Sequence, residues 1–581
     1  MTTTPGGLLL VLAVMVPFVG VLAAFTFGGR AVSRIAGVTI LAGLVVVVAI
    51  AAAMRDSGGG LVYLLGGWAP PLGVALRADN LALAMMLMVA LVILGIGLYA
   101  RADFATPSGV REARRPFVFW TLLLAIWGSL NLMFLSGDLF TLYVALELLT
   151  FSAIPLVSLD GRAETLRAAL RYLIFALLGS VFYLLGAVLL YGAYGTLDIS
   201  LLSARVGPGP ATWVAAALMT TGLLAKTALV PLHLWLPPAH AGAPAAASAV
   251  LSGLVVKGSW FLVVRLWLAV LPGVVTVPSA QLLGGLGAAA ILLGNLVALR
   301  QQRLKLLVAY STVAQIGYLF LMFPLAFPGG TPHPDGPLIG GTLQAISHAT
   351  AKAAMFMAVG LIYKGLGHDR IGDLAGVGRL LPVSLLTFVL AGLALVGVPP
   401  SGAYAAKKLL LDSAEATGQW WWDLAMQAGG FLTAAYVVLV LVHALMPARE
   451  PVRVKARVSR LAELTALALA LCSLLLGLVA VNVGPTDALS GAFTAKELGS
   501  AALLLLGGTL LAAGLALQLP PIPGGETLGA LGRPLRSATV AFATMVVRVD
   551  GQLRKWPVAG LWMVVLAAAF GWAMLTLGVR E

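Results

Sequence analysis

The chain has 581 residues, of which 60% are hydrophobic and 10% are charged, and its formal net charge is +14. Soluble domains carry about 25% charged residues, so this composition excludes a soluble globular protein and indicates a polytopic membrane protein. The basic excess does not indicate nucleic-acid binding, because the arginines and lysines fall mainly in every second loop between apolar segments. The single cysteine, Cys472, excludes a disulfide framework and a cysteine-ligated iron–sulfur cluster within this chain, and we expect it to be a small core residue.

Apolar segments long enough to cross a bilayer recur along the whole sequence. A transmembrane helix needs about 20 apolar residues, and on that criterion the sequence predicts about sixteen spans. The first is expected to be a retained helix rather than a signal peptide, because no basic segment precedes it. A half-helix at 401–416 is expected to continue the twelfth span. In chain order the predicted spans are 7–27, 35–54, 80–100, 117–136, 138–158, 168–193, 211–230, 245–270, 279–299, 304–326, 340–363, 380–398, 425–446, 461–482, 499–518 and 558–578.

The loop charges predict the orientation of the chain. Basic residues cluster after the odd-numbered spans, as Arg162, Arg167 and Arg171 do after the fifth. By the positive-inside rule these loops are cytoplasmic, which places both termini outside the cytoplasm. The composition is rich in Ala, Gly, Leu and Arg and is compatible with a high-GC bacterium, so the predicted location is the bacterial cytoplasmic (inner) membrane.

The predicted fold class is an all-α polytopic membrane protein with about 16 transmembrane helices, two inverted five-helix repeats with broken helices, and a C-terminal amphipathic lateral helix. One break is predicted where Pro231 follows Lys226, because proline opens the helical hydrogen-bond ladder. Pro399 and Pro400 precede Lys407 and predict the other, and paired interruptions in two halves point to a transport site. The predicted regions are 1–116 (N-terminal helices with an extracytoplasmic hairpin), 117–270 and 279–446 (the two repeats), 447–518 (additional helices), 519–557 (an amphipathic helix on the cytoplasmic face) and 558–581 (the final helix).

Ionisable residues inside the predicted spans are the strongest indication of function. A charge near the bilayer centre costs about 2.5–3.5 kcal/mol on insertion scales. Ionisable residues at this depth therefore indicate a functional role, such as a path for protons or ions. Burial makes a lysine easier to deprotonate and a neighbouring carboxylate opposes this, which is the behaviour that a proton relay needs. The predicted relay residues are Glu147, Lys226, His233, Lys257, His348, Lys352 and Lys407.

Residue spacing predicts which of these groups lie together. His233 follows Lys226 by seven residues, so both would face one side if helical geometry resumed between them. His348 and Lys352 are four residues apart and share one helix face. Histidine exchanges protons near neutral pH, which favours a relay at both places.

The accessory groups predicted are His240, Asp412 and Lys408, with Lys408 expected to pair with Asp412 or to face a polar edge. Other interpretations stay open: Glu147 and Lys226 as a fixed structural ion pair, lysines that extend to the membrane interface, and histidines that only pack. We expect no metal site, since no carboxylate or thiol cluster accompanies the histidines, and no bound cofactor.

Several motifs of the predicted spans occur together: the stretches 226–240, 303–318, 348–356 and 397–407, with Glu147 and Lys257. They resemble the antiporter-like subunits of respiratory complex I, of Mrp-type Na⁺/H⁺ antiporters and of membrane-bound hydrogenases. The match covers about 80–470, and a hairpin at 66–71 looks more like the Mrp D-type branch and its hydrogenase relatives. Pro238, where many members carry Asp, and Ala403-Tyr404, where Gly-Phe is more usual, depart from the pattern. The stretches that carry the resemblance are Lys-Thr-Ala-Leu-Val-Pro-Leu-His-Leu-Trp-Leu-Pro-Pro-Ala-His at 226–240 (the broken seventh helix), 303–318 (the tenth), 348–356 (the eleventh) and 397–407 (the broken twelfth), together with Glu147 and Lys257.

The resemblance implies a proton route in two connected half-channels. Glu147 and Lys226 would gate the first, and Lys407 would serve the second. Lys257, His348 and Lys352 would connect them along the midplane of the membrane. It also implies a cytoplasmic lateral helix that braces neighbouring subunits.

We therefore predict a proton-translocating membrane subunit of a multi-subunit complex, with Na⁺/H⁺ exchange as one form of this activity. Its expected partners are other membrane subunits, protons, Na⁺ in the exchange form, and the lipid bilayer. Two alternatives stay open: a proton-pumping subunit of a redox complex, of the NADH:quinone oxidoreductase or hydrogenase type, and an ion-coupled subunit of an inorganic-carbon uptake complex. A redox site would lie in another subunit. A purely structural scaffold is disfavoured by the buried charges.

Overall fold

The long apolar runs of the sequence form helices, because backbone polar groups inside hydrocarbon must bond to one another. The structure is a computed structural model, and it describes residues 2–107, 109–448, 454–480, 494–516, 541–542 and 544–575. Among these residues, 13 helices are long and apolar enough to cross a membrane. The predicted all-α polytopic fold is therefore confirmed.

The helices are numbered in chain order, with the two broken ones divided into a and b. Shorter or less apolar helices (α7a, α12a and α15) stand at the three remaining predicted spans, while the total of about sixteen crossings stays a prediction. The helices are α1 (Leu8–Phe27), α2 (Val32–Ser57), α3 (Asn80–Ala100), α4 (Arg114–Leu135), α5 (Leu139–Val157), α6 (Ala163–Tyr194), α7a (Pro210–Thr227), α7b (Leu236–Gly242), α8 (Ala245–Val270), α9 (Val277–Leu299), α10 (Leu304–Ala326), α11 (Asp335–Leu366), α12a (Pro382–Val396), α12b (Gly402–Ala416), α13 (Trp420–Leu445), α14 (Arg460–Ala480), α15 (Ala495–Ala516) and α16 (Trp556–Leu575).

A two-stranded hairpin marks one end of the helical bundle. Strands β1 (Leu61–Leu64) and β2 (Ala75–Ala78) pair in antiparallel register, as the glycines and prolines between them predict. Arg77 of β2 forms an ion pair with Asp198 at 2.7 Å, which ties the hairpin to the segment between α6 and α7a. We call this end of the bundle the hairpin end.

Ion pairs also gather the loops at the opposite end. Lys364, near the end of α11, pairs with Asp103 after α3 at 2.6 Å. Arg303, after α9, pairs with Asp369 at 3.0 Å. Loops that follow odd-numbered helices thus lie together, as the charge alternation predicts, and we call this end the basic end.

Lys257 and Lys352 lie on two of the most buried helices of the protein. Most residues of α8, α10 and α11 are buried within the protein, whereas most residues of α1 and α2 are only partly buried or are exposed. Lys257 of α8 and Lys352 of α11 therefore face protein rather than lipid. This arrangement is expected, because a charge exposed to hydrocarbon is costly.

Both predicted breaks are present. Helix α7a ends at Thr227, Ala228 takes a left-handed conformation with φ of 59°, and helical structure resumes at Leu236. Helix α12a ends at Val396, and α12b begins after the N-cap Ser401, whose side chain accepts from the Tyr404 amide. In each run of five helices, α4–α8 and α9–α13, the broken helix is the fourth. The inverted relation of these runs and the domain boundaries stay predictions.

Helical residues at 541–542 and 544–553, called the surface helix below, precede α16. Aside from residue 543, its residues are described, but the earlier part of the predicted 519–557 segment lies outside the described residues, as do parts of 447–518. The following helix α16 runs from the basic end to the hairpin end, where Thr276 Oγ1 donates to the Ala573 carbonyl at 2.8 Å. The surface helix thus lies at the basic end.

Cys472 does not occupy the position expected from the sequence. We expected a core residue, but its side chain is exposed on α14. An apolar run in a membrane helix has no polar face to mark the outward side, so hydrophobicity alone cannot separate core positions from outward ones.

Candidate functional site

Glu147 and Lys226 form a buried ion pair between α5 and the end of α7a. The Lys226 Nζ lies 3.0 Å from Glu147 Oε1 and donates to Thr150 Oγ1 at 2.7 Å. The Ser180 hydroxyl of α6 donates to the same carboxylate oxygen. The second oxygen, Oε2, is buried and has no hydrogen-bonding partner among the described residues. One oxygen of the Glu147 carboxylate therefore accepts from both a lysine and a hydroxyl, whereas the other accepts from no described residue.

Lys257 lies on α8 in the centre of the protein and is fully buried. Its ammonium donates to the carbonyl of Ser252, within a π-helical turn at Leu251–Val255. Such turns occur frequently at functional sites. Thr227 Oγ1 donates to Ser259 Oγ at 3.0 Å, so a hydroxyl contact joins the break in α7 to the helix that carries Lys257.

Lys352 and His348 on α11 are also fully buried. Lys352 donates to the Ser311 hydroxyl of α10. Neither ring nitrogen of His348 has a partner in the part of the chain that the structure describes. A buried polar group without a partner costs free energy. The imidazole of His348 is such a group, and it lies near the buried lysines Lys257 and Lys352.

Lys407 lies just after the break in α12. Its ammonium donates to the Val396 carbonyl, an end carbonyl of α12a, at 2.7 Å. It also lies 4.6 Å from the centre of the Tyr318 ring, where the ring face attracts a cation. Unlike Lys226, this lysine has no carboxylate within ion-pair distance among the described residues.

A cavity of about 600 Å³ leads to Lys407 from the hairpin end. Its wall includes the accessory residues Asp412 and Lys408, together with Glu497 of α15. Lys408 pairs with Glu497 at 3.0 Å and lies 3.9 Å from Asp412, so the predicted Asp412 pair is the longer of two. The cavity gives the second lysine an acidic vestibule.

The two histidines of the first break have different surroundings. His233 is fully buried. It lies after the end of α7a and before α7b, so the helical geometry that would place it on one side with Lys226 does not resume between them. Its Nε2 lies 2.8 Å from Asp550 Oδ1 of the surface helix. His240 on α7b stacks on Phe356 with ring centres 4.8 Å apart, and neither of its nitrogens has a partner among the described residues.

Sequence reasoning missed the groups that hold the charged residues. Thr150, Ser180 and Ser311 were not singled out, because single hydroxyls in apolar helices usually bond to their own backbone. Asp550 and Glu497 lie far along the chain from the residues they contact. Within the described part of the chain, no group of three His, Cys, Asp or Glu side chains comes together as a metal ion would require.

The fold and these residues define a polytopic membrane protein with ionisable side chains buried between its helices. Residues 136–433 match the family model described as NADH:quinone oxidoreductase/Mrp antiporter, TM. The chain belongs to this family. It is 32% identical over 441 residues to the N subunit of the NADH-quinone oxidoreductase of Desulforudis audaxviator, covering 75% of this chain and 86% of that protein. It is 26% identical over 383 residues to the D subunit of the Na(+)/H(+) antiporter of Bacillus subtilis, covering 65% and 75% respectively.

Solved structures show the same fold. A chain of the Mrp complex from Dietzia sp. DQ12-45-1b matches 86% of this chain and 99% of its own length, with a TM-score of 0.71 and 24% identity. A chain of the membrane-bound sulfane sulfur reductase, an archaeal respiratory membrane complex, matches equal shares with a TM-score of 0.72 and 22% identity. Both structural relatives are chains of larger complexes.

Proposed function

We propose that this chain is the proton-translocating membrane subunit of a multi-subunit complex. The observation that carries the proposal is the set of fully or nearly buried ionisable groups on α5, on the broken helices α7 and α12, and on the helices between these two. Ionisable residues inside a membrane are rare and usually mark an ion pathway. Here they lie on helices covered by protein, where contact with lipid does not explain them.

The proposed route has two halves and a connection. In the first half, the ammonium of Lys226 exchanges its proton under the influence of Glu147. In the connection, protons pass among Lys257, His348 and Lys352. The hydroxyls of Thr227, Ser259 and Ser311 support this route, because each can donate and accept a hydrogen bond.

In the second half, Lys407 exchanges protons with the cavity at the hairpin end. Its lining of carboxylates supports an exit, since negative charge raises the local concentration of cations. His233 and His240 belong to the first half, and Lys408 and Asp412 assist at the exit. We assign the basic end to the cytoplasm of a bacterial cell and both termini to the opposite side of its inner membrane.

The partners proposed are other membrane subunits, which the large apolar surfaces of α1 and α2 can contact along with lipid. Na⁺ exchange is proposed as a form of the activity because one relative is named as the D-type component of a Na(+)/H(+) antiporter. The proposed regions remain those predicted from the sequence, with repeats at 117–270 and 279–446.

Proton flux in membrane vesicles that contain the native complex tests the proposal. Lys352→Met removes a buried ammonium, and Lys455→Met makes the same change at an exposed position. We expect the first variant to abolish most of the flux and the second to leave it unchanged. Equal flux in both would rule out the buried route, and repeating the assay without Na⁺ separates exchange from proton transport alone.

A second candidate is a proton-pumping subunit of a redox complex, favoured by the 32% identity to a component of an NADH-quinone oxidoreductase. Electron transfer would then take place in other subunits. Purification of the native complex and identification of its components distinguishes the two, since iron–sulfur or hydrogenase-like partners belong only to the redox form. A large soluble zinc-type partner would instead indicate the inorganic-carbon alternative.

A further inference from the structure

Asp550 is a buried carboxylate that the C-terminal part of the chain places beside the break in α7. Only 1% of its side chain is exposed, although it belongs to the surface helix. Three side chains contact it: His233 from the break, Tyr310 from α10, and Arg554 one turn further along the chain. A carboxylate is buried in this way only when its hydrogen bonds are satisfied.

The two oxygens of Asp550 have different partners. Oδ2 accepts from the Tyr310 hydroxyl at 2.8 Å and from Arg554 Nε at 2.9 Å. Oδ1 faces His233 Nε2 at 2.8 Å. Because Tyr310 and Arg554 fix one oxygen, the other is held in place for the histidine.

The charge state of Asp550 determines which ring nitrogen of His233 carries the proton. The Tyr310 hydroxyl and Arg554 Nε both donate to this carboxylate, and hydrogen bonds and a positive charge of this kind favour the ionised form of a carboxyl group. An ionised carboxylate only accepts hydrogen bonds, so the proton lies on Nε2 of His233. In a neutral imidazole the other nitrogen, Nδ1, then carries a lone pair.

Nδ1 of His233 is buried and has no hydrogen-bonding partner among the described residues. The ring therefore presents an unused proton acceptor inside the break that follows Lys226. Without a fixed partner on Nε2, either nitrogen could carry the proton and the ring could turn.

We propose that Asp550 is a positioning residue that fixes the tautomer and orientation of His233, so that Nδ1 accepts and returns protons in the first half of the route. The surface helix is then a working part of the route as well as a brace. The inference rests on the proposed function. When Nδ1 accepts a proton, the imidazolium is stabilised by Asp550, and loss of the same proton restores the starting state.

The tautomer of His233 can be measured without any transport assay. Nitrogen-15 NMR of the histidine-labelled full chain in its native complex, with the signal assigned by its loss in His233→Gln, reports which nitrogen carries the proton. We expect the Nε2–H form in the unsubstituted protein. A proton on Nδ1 would overturn the proposal, and this result is decisive even if Asp550 variants fail to assemble. Because no transport is measured, it stands apart from the test of the proposed function.

A double-mutant cycle in proton flux separates positioning from bracing. We expect Asp550→Asn to remove the tautomer preference and to lower flux by about tenfold, a typical coupling for groups in direct contact. In the His233→Gln background, Asp550→Asn should lower flux no further, because its partner is already absent. Losses that multiply would show a bracing role and refute the inference, as would unchanged flux. Asp373→Asn, an exposed change at the same end, is the matched control.

Discussion

Neutralising Glu147 is the sharpest test of the first half of the route. Glu147→Gln keeps the size of the side chain and an oxygen that can still accept from Lys226 and Ser180, but it removes the charge. At the observed 3.0 Å separation, two unit charges attract by about 5.5 kcal/mol with an effective dielectric constant of about 20. A quarter of this energy, about 1.4 kcal/mol, changes an equilibrium tenfold. We therefore expect proton flux to fall at least about tenfold.

The assay is proton flux in vesicles that contain the native complex, followed with a pH-sensitive dye. Glu112→Gln, the same chemical change at an exposed position, is the control. Glu147→Asp keeps the charge on a shorter side chain and should retain part of the flux. If Glu147→Gln transports as fast as Glu112→Gln, the attraction between Glu147 and Lys226 does not gate the route.

Three further predictions concern the second half and the hairpin end. Lys407→Met should abolish most of the flux without lowering the thermal unfolding temperature, because it removes a buried ammonium that has no carboxylate partner among the described residues and is costly to keep charged. A lowered unfolding temperature would mean that the ammonium is structural. Glu497→Gln should reduce flux less than Lys407→Met does, since it changes only the vestibule, and an equal loss would place Glu497 in the route itself. Burial opposes ionisation of Asp79, but its hydrogen bonds and ion pair with Arg265 hold its pKa below the usual value. The stability that the pair contributes is thus present above about pH 4 and is lost as pH falls through the lowered pKa. The unfolding temperatures of the unsubstituted protein and Asp79→Asn should therefore converge at acid pH, and a constant gap would contradict this.

Much of the fold can be predicted from hydrophobicity and from the positions of the prolines. The spans, both breaks and the hairpin follow from local features: run length, proline, and glycine-rich turns. The lysines and Glu147 stand out because a charge in an apolar helix is conspicuous whatever its surroundings. The contact between Glu147 and Lys226 could be anticipated because opposite charges in hydrocarbon must pair.

The partners of the other groups could not be predicted in this way. His233 and Asp550 are 317 residues apart, and an aspartate in an amphipathic helix has no local sign that it will be buried. The relation between Lys226 and His233 was conditional on helical geometry resuming between them, and this condition is not met, since the next helix begins only at Leu236. Cys472 was misplaced because a membrane helix is apolar on its outward side as well as on the side that packs against other helices.

The two π-helical turns of α8, Leu251–Val255 and Leu266–Val270, bracket the segment that holds Lys257. Successive residues of an α-helix are rotated by about 100°. Removing a single residue from the first turn would therefore rotate all the side chains that follow it in α8 about the helix axis, relative to those that precede it. Lys257 would then point at a different neighbour although no chemical group at the site had changed. The direction of the Lys257 side chain thus depends on the number of residues that precede it in α8. A relative that has the same lysine but one residue fewer in this turn would direct it toward different neighbours.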